Sequence, residues 1–563
     1  MIFISILTLI VAKALPSINI NLSPVYFTRI SAIIFLFAGA LSFNTLYIQS
    51  IGSGIGIYSG LFHVTQVSQF IEVFLLIIGS LILIAWPLIK TTGNTNKINN
   101  NYSTDYSLIV LFSTLGSCLL ISCSDLISMY LSIELQSFGL YILSTLYRDS
   151  ESSTSAGLKY FLLGGLSSCI ILLGSGLIYA YTGLTNFESI YSLFSISDFN
   201  YILQGLSLGL ILILVGFLFK IAAAPLHNWS PDVYDDTPTI VTIWLTIMPK
   251  ISILILLLEL HTQIGIIGGP SSLIINTNGY VEYLYAINDL SNITSETINK
   301  IVGYTTMNVT NKLLLISSIL SLIIGTVVGL AQTKIKRLLA YSTISHIGFI
   351  LLALAINSEQ SIESLLFYII QYTITNLNIF LIILALSYII NNYTNKDNTM
   401  KDIKYISEFK GLFFLNPLLS LSLAVCLFSM AGIPPLIGFF SKQFVLYSAV
   451  QEGYNFISIV AILASVVSAS YYLKIIKVLH TSPESEETIS LLEPKSTTQE
   501  VENQGKNKVS TISNEGLVTE NTQLTNFHSY LISLLTLSIL FFILKPSLIL
   551  NSTQLLSLSI FNF

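Results

Sequence analysis

Charge is what this sequence has least of. Of 563 residues, 24 are Lys or Arg and 29 are Asp or Glu, so charged types make up 9%, against about 25% in an ordinary soluble chain. A soluble protein of this length could not cover its surface with so few charges. The only arginines are Arg29, Arg148 and Arg337, and no basic patch is available to meet phosphates, which excludes nucleic acid as a main partner. Cysteine is also scarce. Cys118, Cys123, Cys169 and Cys426 lie in apolar runs without metal-type spacing and read as reduced packing residues. What is abundant is apolar: 53% of the chain, with a mean hydropathy of +0.77. That excludes a disordered tail protein and leaves a polytopic membrane protein.

A spanning helix needs about 20 mostly apolar residues. Fourteen windows qualify: 1–20, 28–48, 68–90, 106–123, 124–147, 155–183, 201–224, 237–260, 311–332, 337–357, 361–391, 411–433 with a continuation to 450, 454–479 and 528–550. These runs are continuous and do not alternate with period two, so the fold class is all-α and not a transmembrane barrel. Sorting Lys and Arg by window fixes the orientation. Loops after odd-numbered windows, with their edges, hold 17 of the 24, among them Lys159, Lys334, Lys336, Arg337 and Lys404; the other side holds Lys300, Lys312 and Lys545. Both termini are therefore expected on the outer face, and the odd-to-even loops on the inner face. The N-terminus, MIFISILTLIVAKALPSINI, has neither the basic region of a signal peptide nor the Arg richness of a transit peptide, and reads as the first membrane helix. The excess of Lys over Arg, with 32 Phe and 29 Tyr, fits an AT-rich genome and synthesis inside an organelle. Two loops are long: 261–310 on the outer side, and the polar, low-complexity 481–527, expected as a flexible inner-side insertion. The sequons at Asn292 and Asn308 matter only in a secretory protein and are set aside.

Four charges stand where a membrane helix should have none. Glu134 lies in LISMYLSIELQSFGLYIL, Lys220 in LILVGFLFKIAAAPLHNW, Lys250 in TIWLTIMPKISILILLLEL and Lys442 in IPPLIGFFSKQFVLYSAV. Each costs roughly 2.5–3.5 kcal/mol at the bilayer centre, and such groups persist where they face one another or a hydrated cavity. Moving a carboxylate toward or away from a buried lysine switches the amine between holding and releasing a proton, which makes a relay element without a cofactor. Glu134 is the natural modulator. Lys13, near Pro16, is better read as a structural or snorkelling charge, and Glu72, Asp125, Glu259 and Glu363 as interfacial. Prolines follow Lys220 (Pro225, Pro231, Pro238) and precede Lys442 (Pro434, Pro435). Freed backbone at membrane depth is tolerated only where protein or water satisfies it, and paired interruptions in two halves mark inverted repeats with the ion site at the break. The expected organisation is a three-helix segment over 1–105, a five-helix repeat over 106–260, the outer loop 261–310, a second five-helix repeat over 311–480, the insertion 481–527 and a C-terminal helix over 528–563. His346, about nine residues past Arg337 and so roughly 13 Å into its helix, is a candidate proton carrier, as is His227 at the first break.

These segments resemble the antiporter-like subunits of respiratory complex I. GFLFKIAAAPLHNWSPDVYDDTPTIV followed by MPK is similar to the seventh and eighth helices of that family, KRLLAYSTISHIGFILLAL to the tenth, AGIPPLIGFFSKQFVL to the twelfth and SDLISMYLSIELQSFGLYIL to the fifth; the likeness covers about 106–479. It implies that Glu134 pairs with the proton site Lys220, that Lys250 links it onward with His346 near the centre of a hydrophilic axis, and that Lys442 faces the next subunit or the exit path. It also implies no redox cofactor in this chain, with flavin and iron–sulfur clusters in other subunits, in accord with the absence of a strand-linked GxGxxG and of a cysteine cluster. The implied partners are neighbouring membrane-arm and accessory subunits and membrane lipids, and the implied location is the mitochondrial inner membrane. The expected function is proton translocation coupled to electron transfer from NADH to ubiquinone. The competing reading is an Mrp-type cation/proton antiporter, which shares fold and motifs. A passive scaffold is a third, and the four buried charges argue against it.

Overall fold

The computed structural model describes residues 1–15, 24–46, 54–84, 105–147, 150–196, 200–261, 295–394, 402–481 and 526–561. In chain order the helices are α1 (Ile2–Ala14), α2 (Pro24–Thr45), α3 (Gln66–Ile84), α4 (Asp105–Ile121), α5 (Leu126–Thr145), α6 (Glu151–Thr182), α7 (Phe187–Ile196), α8 (Asn200–Lys220), α9 (Trp229–Asp236), α10 (Thr239–Leu260), α11 (Ser295–Leu330), α12 (Ile335–Ile356), α13 (Glu359–Thr394), α14 (Pro417–Ala431), α15 (Ile437–Gln451), α16 (Asn455–His480), α17 (Asn526–Leu540) and α18 (Ser547–Phe561). Among the described residues, nine helices are long and apolar enough to cross a membrane and six more are shorter and apolar. Every one of the fourteen apolar windows holds helix. Their boundaries have local causes. Asp125 caps α5 by accepting the Ile127 amide at 2.8 Å, and Asn416 caps α14 through the Leu419 amide at 3.3 Å. Gly432, at φ +87°, turns the chain out of α14.

Several elements depart from the sequence reading. α11 begins at Ser295, inside the stretch expected as an outer loop, while the rest of that loop (262–294) lies outside the described residues. So does most of the 481–527 insertion. The single C-terminal helix expected over 528–563 is two, α17 and α18, because Pro546 cannot continue a helix. A small hairpin, β1 (Ile55–Ile57) paired antiparallel with β2 (Phe62–Val64), and the short α7 have no counterpart among the apolar windows.

The loops sort onto two faces. On one, Asp232 of α9 pairs with both Lys159 of α6 and Arg337 of α12, Lys334 pairs with Asp235 at 2.6 Å, and Lys336 with Asp402 at 2.7 Å. The connections following the fifth, seventh, ninth and eleventh windows therefore meet at one end of the bundle. At the other end the hairpin is tied to the turn before α5 and to the one after α6. His63 N donates to Ser122 O at 2.7 Å, Asn186 Nδ2 to Gly60 O at 3.1 Å, and Thr185 Oγ1 to Asp125 Oδ2 at 2.7 Å. Between the faces, α10 and α12 are the central helices, with 94% of their apolar windows buried inside the chain itself. A membrane helix with so little lipid contact is free to carry polar side chains, because what it faces is protein.

Candidate functional site

Both helix interruptions occur where proline removes backbone donors, and each is repaired differently. α8 ends at Lys220. Phe219 O is capped by the Trp229 indole at 2.9 Å, and Leu218 O by the Ala223 amide at 2.9 Å. Ala222 takes a left-handed φ of 62° to make the turn. At the second break the carbonyl end of α14 is capped by a side chain charge: Lys442 Nζ donates to Met430 O at 2.9 Å and to Ala431 O at 3.0 Å. An ammonium at a helix C-terminus is favoured by the helix dipole, so Lys442 closes the break as well as standing beside it.

Glu134 and Lys220 meet as expected. Lys220 Nζ lies 3.4 Å from Glu134 Oε1, and the two side chains are only 7% and 14% exposed. A cavity of about 20 Å³, room for one water, opens beside Lys220; Gln136, Tyr141, Tyr160, Trp229 and Pro249 are among its walls. Gln136 in turn donates to Ser252 Oγ at 2.8 Å, which carries polar contact from α5 to α10 two residues past Lys250. Lys250 itself donates to Thr343 Oγ1 of α12 at 3.0 Å and sits 5.4 Å above the Tyr234 ring of α9.

His346 is buried between two phenols: Nδ1 lies 2.7 Å from Tyr368 OH and Nε2 3.3 Å from Tyr472 OH. The Tyr372 ring is 5.7 Å away, and Asn376 Nδ2 donates to its hydroxyl at 3.3 Å. On the far side Lys442 Nζ stands 5.7 Å over the Phe349 ring, and Gln371 of α13 accepts from Ser441, next to Lys442, at 3.3 Å. His346 lies about one turn past Thr343, the partner of Lys250, on α12. The five residues thus form a file of polar stations on α5, α8, α10, α12 and α15, and among the described residues no direct hydrogen bond joins Lys220, Lys250, His346 and Lys442 to one another. His227 stands apart. Its Nδ1 faces Pro225 O at 3.3 Å and its ring lies edge-on to Tyr341. Lys13 pairs with Asp105 at the start of α4.

Sequence reasoning missed the neutral stations. Thr343, Tyr234, Tyr368, Tyr472 and the Gln136–Ser252 pair carry no charge, and hydroxyls are common in apolar helices because they can bond their own backbone. One signal was there to be read. Tyr368, Gln371, Tyr372, Thr375 and Asn376 recur at helical spacing along α13, a polar stripe inside an otherwise apolar run. The amide oxygen of Asn376 is buried and has no hydrogen-bond partner among the described residues, which suits a bound water.

A family described as NADH:quinone oxidoreductase/Mrp antiporter, TM, matches residues 123–308 and 295–468. NADH-ubiquinone oxidoreductase chain 2 of Rhizopus oryzae is 47% identical over 573 aligned residues, covering 100% of both chains. Among solved structures, a chain of the respiratory complex I of Thermus thermophilus superposes with a TM-score of 0.62 at 24% identity, over 95% of this chain and 97% of that one. A chain of the Mrp complex from Dietzia sp. gives a TM-score of 0.71 at 18% identity, over 100% and 96%. At those identities the two structures speak to the fold alone.

Proposed function

Because the chain belongs to the NADH:quinone oxidoreductase/Mrp antiporter membrane family, we propose that its Glu134, Lys220, Lys250, His346 and Lys442 carry protons across the inner mitochondrial membrane. The protein is an antiporter-like membrane-arm subunit of the proton-translocating NADH:ubiquinone oxidoreductase. In our reading, fourteen helical segments cross the membrane, with both termini outside and the ion-paired face inside. The chain holds no redox group: flavin and iron–sulfur chemistry belong to other subunits, and energy reaches this one through its neighbours in the membrane arm. His227 is a second candidate carrier, at the edge of the file.

The observation that carries this reading is the Glu134–Lys220 pair, 3.4 Å apart at a broken helix. Two ionisable groups in low dielectric, with room for one water beside the lysine, can exchange a proton when their separation changes. Lys220→Met in the assembled complex should leave assembly intact and reduce coupled proton pumping tenfold or more; a normal proton-to-electron ratio would remove Lys220 from the path. The fold superposes better on the Mrp chain, with a TM-score of 0.71 against 0.62 for the complex I chain, which favours the antiporter as the second reading. Copurification decides between them: recovery within a large NADH-oxidising assembly supports the first, and recovery in a cation/proton antiporter without NADH oxidation supports the second.

A further inference from the structure

Lys336 is a buried lysine that the proton file does not use. Its side chain is 5% exposed, and it donates to Asp402 Oδ2 at 2.7 Å and to Thr237 O at 2.9 Å. The same Asp402 oxygen accepts the Thr239 amide at 2.8 Å. Three segments converge there: the first turn of α12, the entry to α10, and the chain leading toward α14. Burial works against the Asp402 carboxylate, but the Lys336 charge and hydrogen bond, with the Thr239 amide, outweigh it and hold the carboxyl below the usual carboxylate range. The Asp402 carboxylate therefore stays ionised at neutral pH, which suits a strut and not a proton carrier. Three further cations at this end are paired: Lys334 with Asp235, and Arg337 and Lys159 with Asp232.

The two helices joined at this node are those that build the Lys250 contact. Lys336 and Thr343 are seven residues apart, two turns, on one face of α12. Thr239 and Lys250 are eleven residues apart, three turns, on one face of α10. We propose that Lys336 and Asp402 are a positioning pair for proton transfer: by gripping the first turn of α10 they fix its axial register against α12, and so hold Lys250 at Thr343. Asp402 is 31% exposed but Lys336 is buried, and a buried charge is expensive to strand, so the Lys336 end of the node has one favourable arrangement. Helices that slide by a single turn would carry Lys250 past Thr343 altogether.

This inference rests on Lys250 being a station of the relay, so Lys250→Met is measured alongside. In the intact complex, NADH-driven pumping is compared for Asp402→Asn, Thr343→Ala and the double variant, with assembly followed on native gels. If Asp402 acts through the Lys250–Thr343 contact, each single variant slows coupled turnover about tenfold, and the double is no worse than Thr343→Ala alone. Asp402→Glu keeps the charge, should recover most of the turnover, and carries the same comparison if Asp402→Asn does not assemble. Additive losses, or wild-type turnover in Asp402→Asn, would overturn the proposal. A silent Lys250→Met would overturn the relay reading instead.

Discussion

At the scale of single residues, each buried lysine has a different chemical situation, and substitution should separate them. Lys220 faces a carboxylate, Lys250 a hydroxyl and an aromatic ring, and Lys442 two backbone carbonyls. Glu134→Gln leaves the Lys220 ammonium without a countercharge in low dielectric, a situation worth about 3–5 kcal/mol when one partner of a buried pair is removed. NADH-driven pumping in membrane vesicles should fall by tenfold or more, and wild-type rates would mark the pair as structural. Lys442→Met should also cost assembly, since Met430 O and Ala431 O lose their donor, whereas Lys442→Arg should assemble. The charged stations were legible in the sequence because a charge in an apolar run carries a large penalty that only a partner or water relieves. Thr343 and the tyrosines around His346 were not, because a hydroxyl there costs little and only packing selects the one that meets a lysine.

At the scale of elements, proline and apolar length announced the two breaks, but their closure depends on contacts that local sequence does not encode. α14 and α15 approach so closely that Gly438 N donates to Ser429 Oγ at 3.2 Å, and a Cβ at Gly438 would collide with Ser429 O. Gly438→Ala should therefore push α15 off α14, at a cost of about 1–3 kcal/mol for overpacking, and move Lys442 away from the carbonyls it caps. Lower thermal stability of the assembled complex together with reduced pumping is the expected pair of readouts. Gly165→Ala and Gly176→Ala, where a Cβ meets nothing within 4 Å among the described residues, should be silent and serve as controls. The hairpin, α7 and α9 escaped the sequence reading for a common reason: all are too short to carry an apolar period, and neighbouring loops hold them in place. The split of the C-terminal helix was visible in principle at Pro546.

At the scale of the whole molecule, the uneven distribution of Lys and Arg is also a statement about packing. Asp232 reaches both Lys159 and Arg337, and Asp402 reaches Lys336, so four odd-to-even connections share an end only if the helix count between them is right. The hairpin and the turns at Ser124 and Asn186 gather three even-to-odd connections at the other end. Packing brings these loops together, and the preference of basic residues for the inner side gives the direction we propose. The two parts can be tested separately. Tyr58, 76% exposed at the hairpin tip, and Ser407, exposed beside the ion-paired end, serve as reporter positions. Tyr58→Cys should react with a membrane-impermeant maleimide added to the outer side, and Ser407→Cys only in inverted vesicles. The reverse pattern would invert the orientation and leave the bundle intact. Labelling of both from one side would break the parity itself, and with it the placement of Lys220 and Lys442 in oppositely directed repeats.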